Sequence, residues 1–129
     1  MNDAFRREQE RRAFTRVKIR APVEIRQGAD RWQLELLNIS LTGLAVTEPE
    51  DWDPDYQQPF DFLLYLNRDE PLEVRARIIY INPGYMGFEM ESLAEAQRTA
   101  LAEVLAAYLG QDLIREELDF LAELERERD

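Results

Sequence analysis

The chain predicts a mainly β fold: a six-stranded antiparallel β-barrel with C-terminal α-helices and a flexible N-terminal arm. Three observations carry this. From Val17 to Met90, short stretches alternate apolar and polar residues at period two, with no helical pattern between them. Helical periodicity is confined to the residues after Ser92. The charge is also asymmetric: residues 1–20 hold seven Lys or Arg against three Asp or Glu, a local +4 ahead of a body at −15, within a net charge of −11.

Residues 1–16 form the arm, dense in charge and poor in apolar periodicity, with at most transient helix from Phe5 to Arg12. Such an arm contributes little to the core and takes its order from a ligand. Residues 17–110 form the barrel and its capping helix. Over Pro22 to Gln27, Val23 and Ile25 share one face; Gly28 to Asp30 turns, and Trp32, Leu34 and Leu36 resume the alternation in a hairpin. Asn38 to Gly43 is rich in residues that build turns through side-chain hydrogen bonds and positive φ, and leads into a strand over Leu44 to Thr47.

Glu48 to Pro59 reads as a long acidic surface connection pinned by Trp52 and Tyr56, placed away from the arginines or folded over them. Phe60, Phe62, Leu64 and Leu66 mark the next strand, Val74, Ala76, Ile78 and Tyr80 the fifth, and Met86, Phe88 and Met90 the sixth, after a Pro83-Gly84 turn. Arg75 and Arg77 point to the opposite face, to pair with acidic neighbours across the strands. Closure into a barrel removes the exposed edges that six short strands would otherwise leave.

Ser92 and Glu95 have capping-box spacing and open a helix whose stripe is Leu93, Leu101, Val104, Leu105, Tyr108 and Leu109, with Gly110 at its end. Residues 111–129 form a second amphipathic helix, with Ile114, Leu118, Leu121 and Leu124 in phase and a charged end, Glu123 to Asp129, that frays. The first helix caps the barrel. The stripe of the second either completes the core or meets a partner.

Composition narrows function. A sequence pI of about 4.5 disfavours DNA, RNA or anionic lipid as a partner for the body. No stretch is apolar enough to span a bilayer and the charged start lacks a signal core, so the expectation is a cytoplasmic monomer without membrane insertion. With no Cys and no His, thiol and imidazole chemistry and the commonest metal sites are missing. A carboxylate enzyme would have to use Asp51, Asp53 and Asp55; no enzyme, metal or resident cofactor is expected.

Two motifs remain. Arg11-Arg12-Ala13-Phe14-Thr15-Arg16 sets three guanidiniums close together, a concentration that an anionic or planar ligand would relieve. Asn38-Ile39-Ser40-Leu41-Thr42-Gly43 comes about 20 residues later, between two strands. The first resembles the RRxxxR arm and the second the (D/N)xSxxG turn of the PilZ domain family. The pair, in this order with a barrel-like series behind it, is far more specific than either alone. The resemblance runs over residues 9–110, and the trailing helices resemble those of the small stand-alone PilZ proteins of pseudomonads.

The resemblance implies a PilZ-type β-barrel that is a bacterial receptor for cyclic di-GMP in second-messenger signalling. Arg12 and Arg16 would then clamp a phosphate and a guanine edge, and Arg11 would serve a further phosphate or a second, stacked ligand molecule. Asn38 and Ser40 would accept from guanine N–H groups, and Gly43 would let the backbone approach. Tyr80 would stack on a base, although its phase equally suits the core. The receptor would signal to an unidentified downstream protein by ordering its arm and changing its surface. The alternative is a PilZ-fold adaptor between proteins that binds no nucleotide.

Overall fold

The computed structural model describes residues 14–127. Six strands, β1 (Ala21–Gln27), β2 (Asp30–Ile39), β3 (Gly43–Thr47), β4 (Phe60–Leu64), β5 (Leu72–Asn82) and β6 (Tyr85–Met90), close into an antiparallel barrel in the order β1-β2-β3-β6-β5-β4. Pairing of β1 with β4 seals it. The alternation read from the sequence fills the interior: Val23, Ile25, Leu36, Leu44, Val46, Phe62, Leu64, Leu72, Met86 and Phe88 are all buried. Phe62 and Phe60 meet Phe88 edge-on, at centroid separations of 4.8 and 5.7 Å, the arrangement the ring quadrupole favours.

Two β-bulges break the alternation. Leu36 and Asn38 lie opposite the consecutive residues Val46 and Ala45, so Leu37 is extra on β2. Likewise Ile78 and Tyr80 lie opposite Phe88 and Gly87, so Ile79 is extra on β5. One inserted residue reverses the phase of everything after it. Tyr80 therefore leaves the inward phase of Val74, Ala76 and Ile78, and the core alternative for this residue does not hold: it stands on the outer face, half-buried.

The acidic connection is pinned as expected. Trp52 packs on Trp32 and Phe60 at 5.2 and 5.6 Å, and Tyr56 packs on Trp52 at 5.9 Å. Trp32 is six residues along β2 from Asn38, roughly 20 Å of strand, so the connection's anchor lies well away from the polar turn. Arg75 pairs with Asp61 at 2.9 Å and Arg77 with Glu91 at 3.2 Å, the cross-strand pairing anticipated for them. The Asp61 hydrogen bond, with its charge, raises Arg75 above the ordinary guanidinium value and commits it to that partner.

Two helices, α1 (Glu95–Leu109) and α2 (Gln111–Glu127), follow the barrel. Leu101 and Leu105 of α1 are fully buried, and Ala100, Ala102 and Ala106 are nearly so. Gly110 ends the helix at φ 90°, its N–H donating to the Ala106 carbonyl at 2.8 Å. Three details depart from the sequence reading. The capping box does not form, because the helix starts after Ala94 and Ser92 donates instead to Glu125 at 3.3 Å. Tyr108 lies off the buried stripe, 59% exposed. The charged end of α2 stays helical through Glu127, held where Arg98 donates to Glu125 at 2.8 Å.

The limit of the arm also moves. Phe14 is only 2% exposed and meets Phe120 of α2 edge-on at 5.8 Å. Val17 and Ile39 exchange two backbone hydrogen bonds, at 2.8 and 3.0 Å, which tie the segment before β1 to the end of β2. Residues 14–16, expected to belong to a flexible arm, are thus packed on the body. Burial of an aromatic ring predicts the cost of losing it: Phe14→Ala should destabilise the protein by about 3 kcal/mol in urea unfolding, whereas an unanchored arm would give no change.

Candidate functional site

The site is built where the segment before β1 crosses the β2–β3 turn. The Val17–Ile39 bridge fixes the chain direction, so that Arg16 reaches the end of β2 from outside the barrel. There its Nη1 donates to Asn38 Oδ1 at 2.7 Å. Asn38 faces outward only because the bulge at Leu37 has shifted its phase.

Ser40 shapes the turn. Its backbone N–H donates to the Gly43 carbonyl at 2.8 Å, and its hydroxyl oxygen accepts from the N–H groups of Thr42 and Gly43 at 3.2 and 3.1 Å. At 2% exposure that hydroxyl is engaged by the backbone rather than presented to solvent. Gly43 leaves room for Arg16: a Cβ there would lie 2.9 Å from Arg16 Nη2 and 3.1 Å from the Phe88 carbonyl oxygen. Arg16, Ser40, Thr42, Gly43, Ile79 and Glu89 line the resulting cleft.

A second line of residues extends the site across four strands. Asn38 is opposite Ala45, Ala45 opposite Gly87, and Gly87 opposite Tyr80. The Tyr80 ring lies so close over Gly87 that a Cβ on the glycine would fall 2.1 Å from ring carbons. Tyr85 supports the ring edge-on at 6.0 Å. Arg16 and Tyr80 thus stand at the two ends of a shelf made of small residues.

Arg16 differs from the arginines that are neutralised around the body. Arg20, Arg26, Arg75, Arg77 and Arg98 are each paired with a carboxylate, on Glu35, Glu24, Asp61, Glu91 and Glu125 respectively. Arg16 makes no salt bridge among the described residues; its partner is a neutral amide. A guanidinium in that state keeps its charge available for an anion. Of the residues predicted for the site, Arg16, Asn38, Ser40 and Gly43 come together and Tyr80 lies on the same face, while Arg11 and Arg12 lie outside the described residues. Asp51, Asp53 and Asp55 form no group able to hold a metal among the described residues.

Sequence reasoning missed Gly87 and Glu89. A glycine inside the otherwise regular strand Tyr85–Met90 was a usable signal, since it marks close approach of another group. Glu89 had none, because its place beside Gly43 depends on strand pairing alone.

Comparison with known proteins agrees with this architecture. The sequence profile of the PilZ domain matches residues 10–107. Among solved structures, the inhibitor of motility MotI/DgrA of Bacillus subtilis superposes with a TM-score of 0.58 at 20% identity, over 82% of this chain and 50% of that one. This chain therefore spans about half of the MotI chain. The PilZ domain of CeSA from a cellulose-synthesizing bacterium gives 0.55 at 22% identity, covering 74% of this chain and 96% of its own. An uncharacterized Legionella protein gives 0.50 at 15%, covering 72% and 91%. With its barrel, its polar turn and a profile match over most of its length, the chain belongs to the PilZ domain family.

Proposed function

We propose that the protein is a receptor for cyclic di-GMP, bound on the outer face between Arg16 and Tyr80. The observation that carries this reading is the 2.7 Å contact from Arg16 to Asn38, which joins two motifs 22 residues apart on one patch. The guanidinium there forms no salt bridge among the described residues, and Glu89 shares its cleft. The ligand offers two phosphates and two guanines, each with O6 and N7 acceptors that suit an arginine fork. Arg16 meets a phosphate or a guanine edge. Asn38 exchanges its bond to Arg16 for one with guanine N–H groups.

Gly43 admits the ligand to the backbone, and Ser40 holds the turn in the shape that allows it. Tyr80 stacks on a base, a contact of about 1–3 kcal/mol. Arg12 completes the clamp on the strength of its motif, and Arg11 serves a second, stacked molecule. Ordering of the chain ahead of Phe14 over the ligand, with a local change in surface charge, is the signal that a downstream protein reads. The receptor works as a cytoplasmic monomer.

Isothermal titration with micromolar cyclic di-GMP at moderate salt tests this. Wild-type protein should release heat and bind two ligand molecules per chain. A stoichiometry of one would remove the role given to Arg11, and no heat would leave a PilZ-fold adaptor without nucleotide. Arg16→Ala should weaken binding by about a hundredfold, the loss of a charge-assisted contact, while stability changes by no more than about 0.5 kcal/mol. In Gly87→Ala the new methyl displaces the Tyr80 ring, so affinity should fall by about the amount lost in Tyr80→Ala; an unchanged affinity in both would remove the stack.

A further inference from the structure

One buried charge is left unexplained by the site. Ile114 and Leu121 of α2 are buried, and between them, in phase, stands Glu117, 5% exposed. An acidic side chain in an apolar stripe costs several kcal/mol unless donors satisfy it. Its donors come from Thr15, the residue before Arg16. The Thr15 hydroxyl donates to Oε2 at 2.7 Å, and the Thr15 backbone N–H is 3.3 Å from each carboxylate oxygen. Glu117 forms no salt bridge among the described residues.

Arg16 is therefore held from both sides. Behind it, α2 takes Phe14 through an aromatic contact and Thr15 through the carboxylate. Ahead of it, Val17 is tied to Ile39. An apolar residue at position 117 would pack as well, but would leave the direction of the Thr15 N–H unspecified, whereas a carboxylate fixes it. Fixing backbone before a ligand arrives removes ordering cost from binding.

We infer that Glu117 is a positioning residue of the nucleotide site: by gripping Thr15 it presents Arg16 to the ligand, and it links the stability of α2 to occupancy of the site. The inference rests on the receptor reading above. Linkage is reciprocal, so ligand must in turn steady α2.

The test titrates wild-type, Glu117→Ala, Glu117→Gln and Thr15→Val proteins with cyclic di-GMP, with unfolding midpoints measured in the same buffer. Glu117→Ala should weaken affinity about tenfold and Thr15→Val about threefold, the scale of one or two lost hydrogen bonds. Glu117→Gln should stay within about threefold of wild type, since its amide oxygen still accepts from Thr15. Amide exchange of residues 14–20 in the free protein should accelerate in Glu117→Ala while the β2 core does not change, a pattern that general destabilisation would not produce.

Wild-type affinity in both Glu117→Ala and Thr15→Val overturns the inference. So does tighter binding, which would make the contact a restraint on the motif. If Glu117→Ala does not fold, Thr15→Val decides by itself. Absence of wild-type binding removes the receptor reading together with the inference, whereas normal wild-type binding with unshifted variants removes the inference alone.

Discussion

Two backbone hydrogen bonds between Val17 and Ile39 decide where the basic end of this chain goes. They extend the β2 ladder by one bridge beyond β1, and so bring a chain segment that belongs to no strand against the outside of the barrel. The position of Arg16 results from that placement, since it is the residue next to the bridge and has the polar end of β2 within reach. Burial of Phe14 on one side of Arg16 and Val17 on the other makes the placement energetically firm, because pulling the segment away would expose both.

The barrel contributes through its irregularities as much as through its regular pairing. Closure and an aromatic interior give a stiff frame, and the bulges at Leu37 and Ile79 then turn Asn38 and Tyr80 to the outside. Between them lie Ala45 and Gly87, both buried, with the Tyr80 ring lying over the glycine. Elsewhere Arg20, Arg26, Arg75, Arg77 and Arg98 are each neutralised by a carboxylate close by. Position on the fold, and the lack of a charged partner among the described residues, together distinguish Arg16 from them.

The strands were legible in the sequence because period-two alternation is a direct imprint of a one-sided core, and Val23, Ile25, Phe60, Phe62 and Phe88 all sit where it put them. The site was legible in part, through residue types whose chemistry is narrow: arginine forks, and a turn of Asn, Ser, Thr and Gly. What escaped depends on long-range packing. A bulge leaves no mark in the alternation until the partner strand is known, so Tyr80 looked in phase with Ile78. Ser92 and Glu95 had capping-box spacing, yet tertiary contact with Glu125 took the serine. Phe14 looked like part of a charged arm because the surface it covers belongs to α2, about a hundred residues further on. Glu117 was hidden for the same reason: three residues after Ile114 and four before Leu121, it occupies a core phase, but its donor lies at the other end of the chain.

The central claim is that Arg16, the Asn38–Gly43 turn and the Tyr80 shelf act as one surface for a doubly charged purine dinucleotide. Backbone amide shifts of isotopically labelled protein, monitored by NMR as cyclic di-GMP is added, test it directly. The account predicts large shifts at Arg16, at Asn38 to Gly43, and at Gly87 and Tyr80, with little change on β4. Shifts centred on β1 and β4, or none at ligand excess, would contradict it.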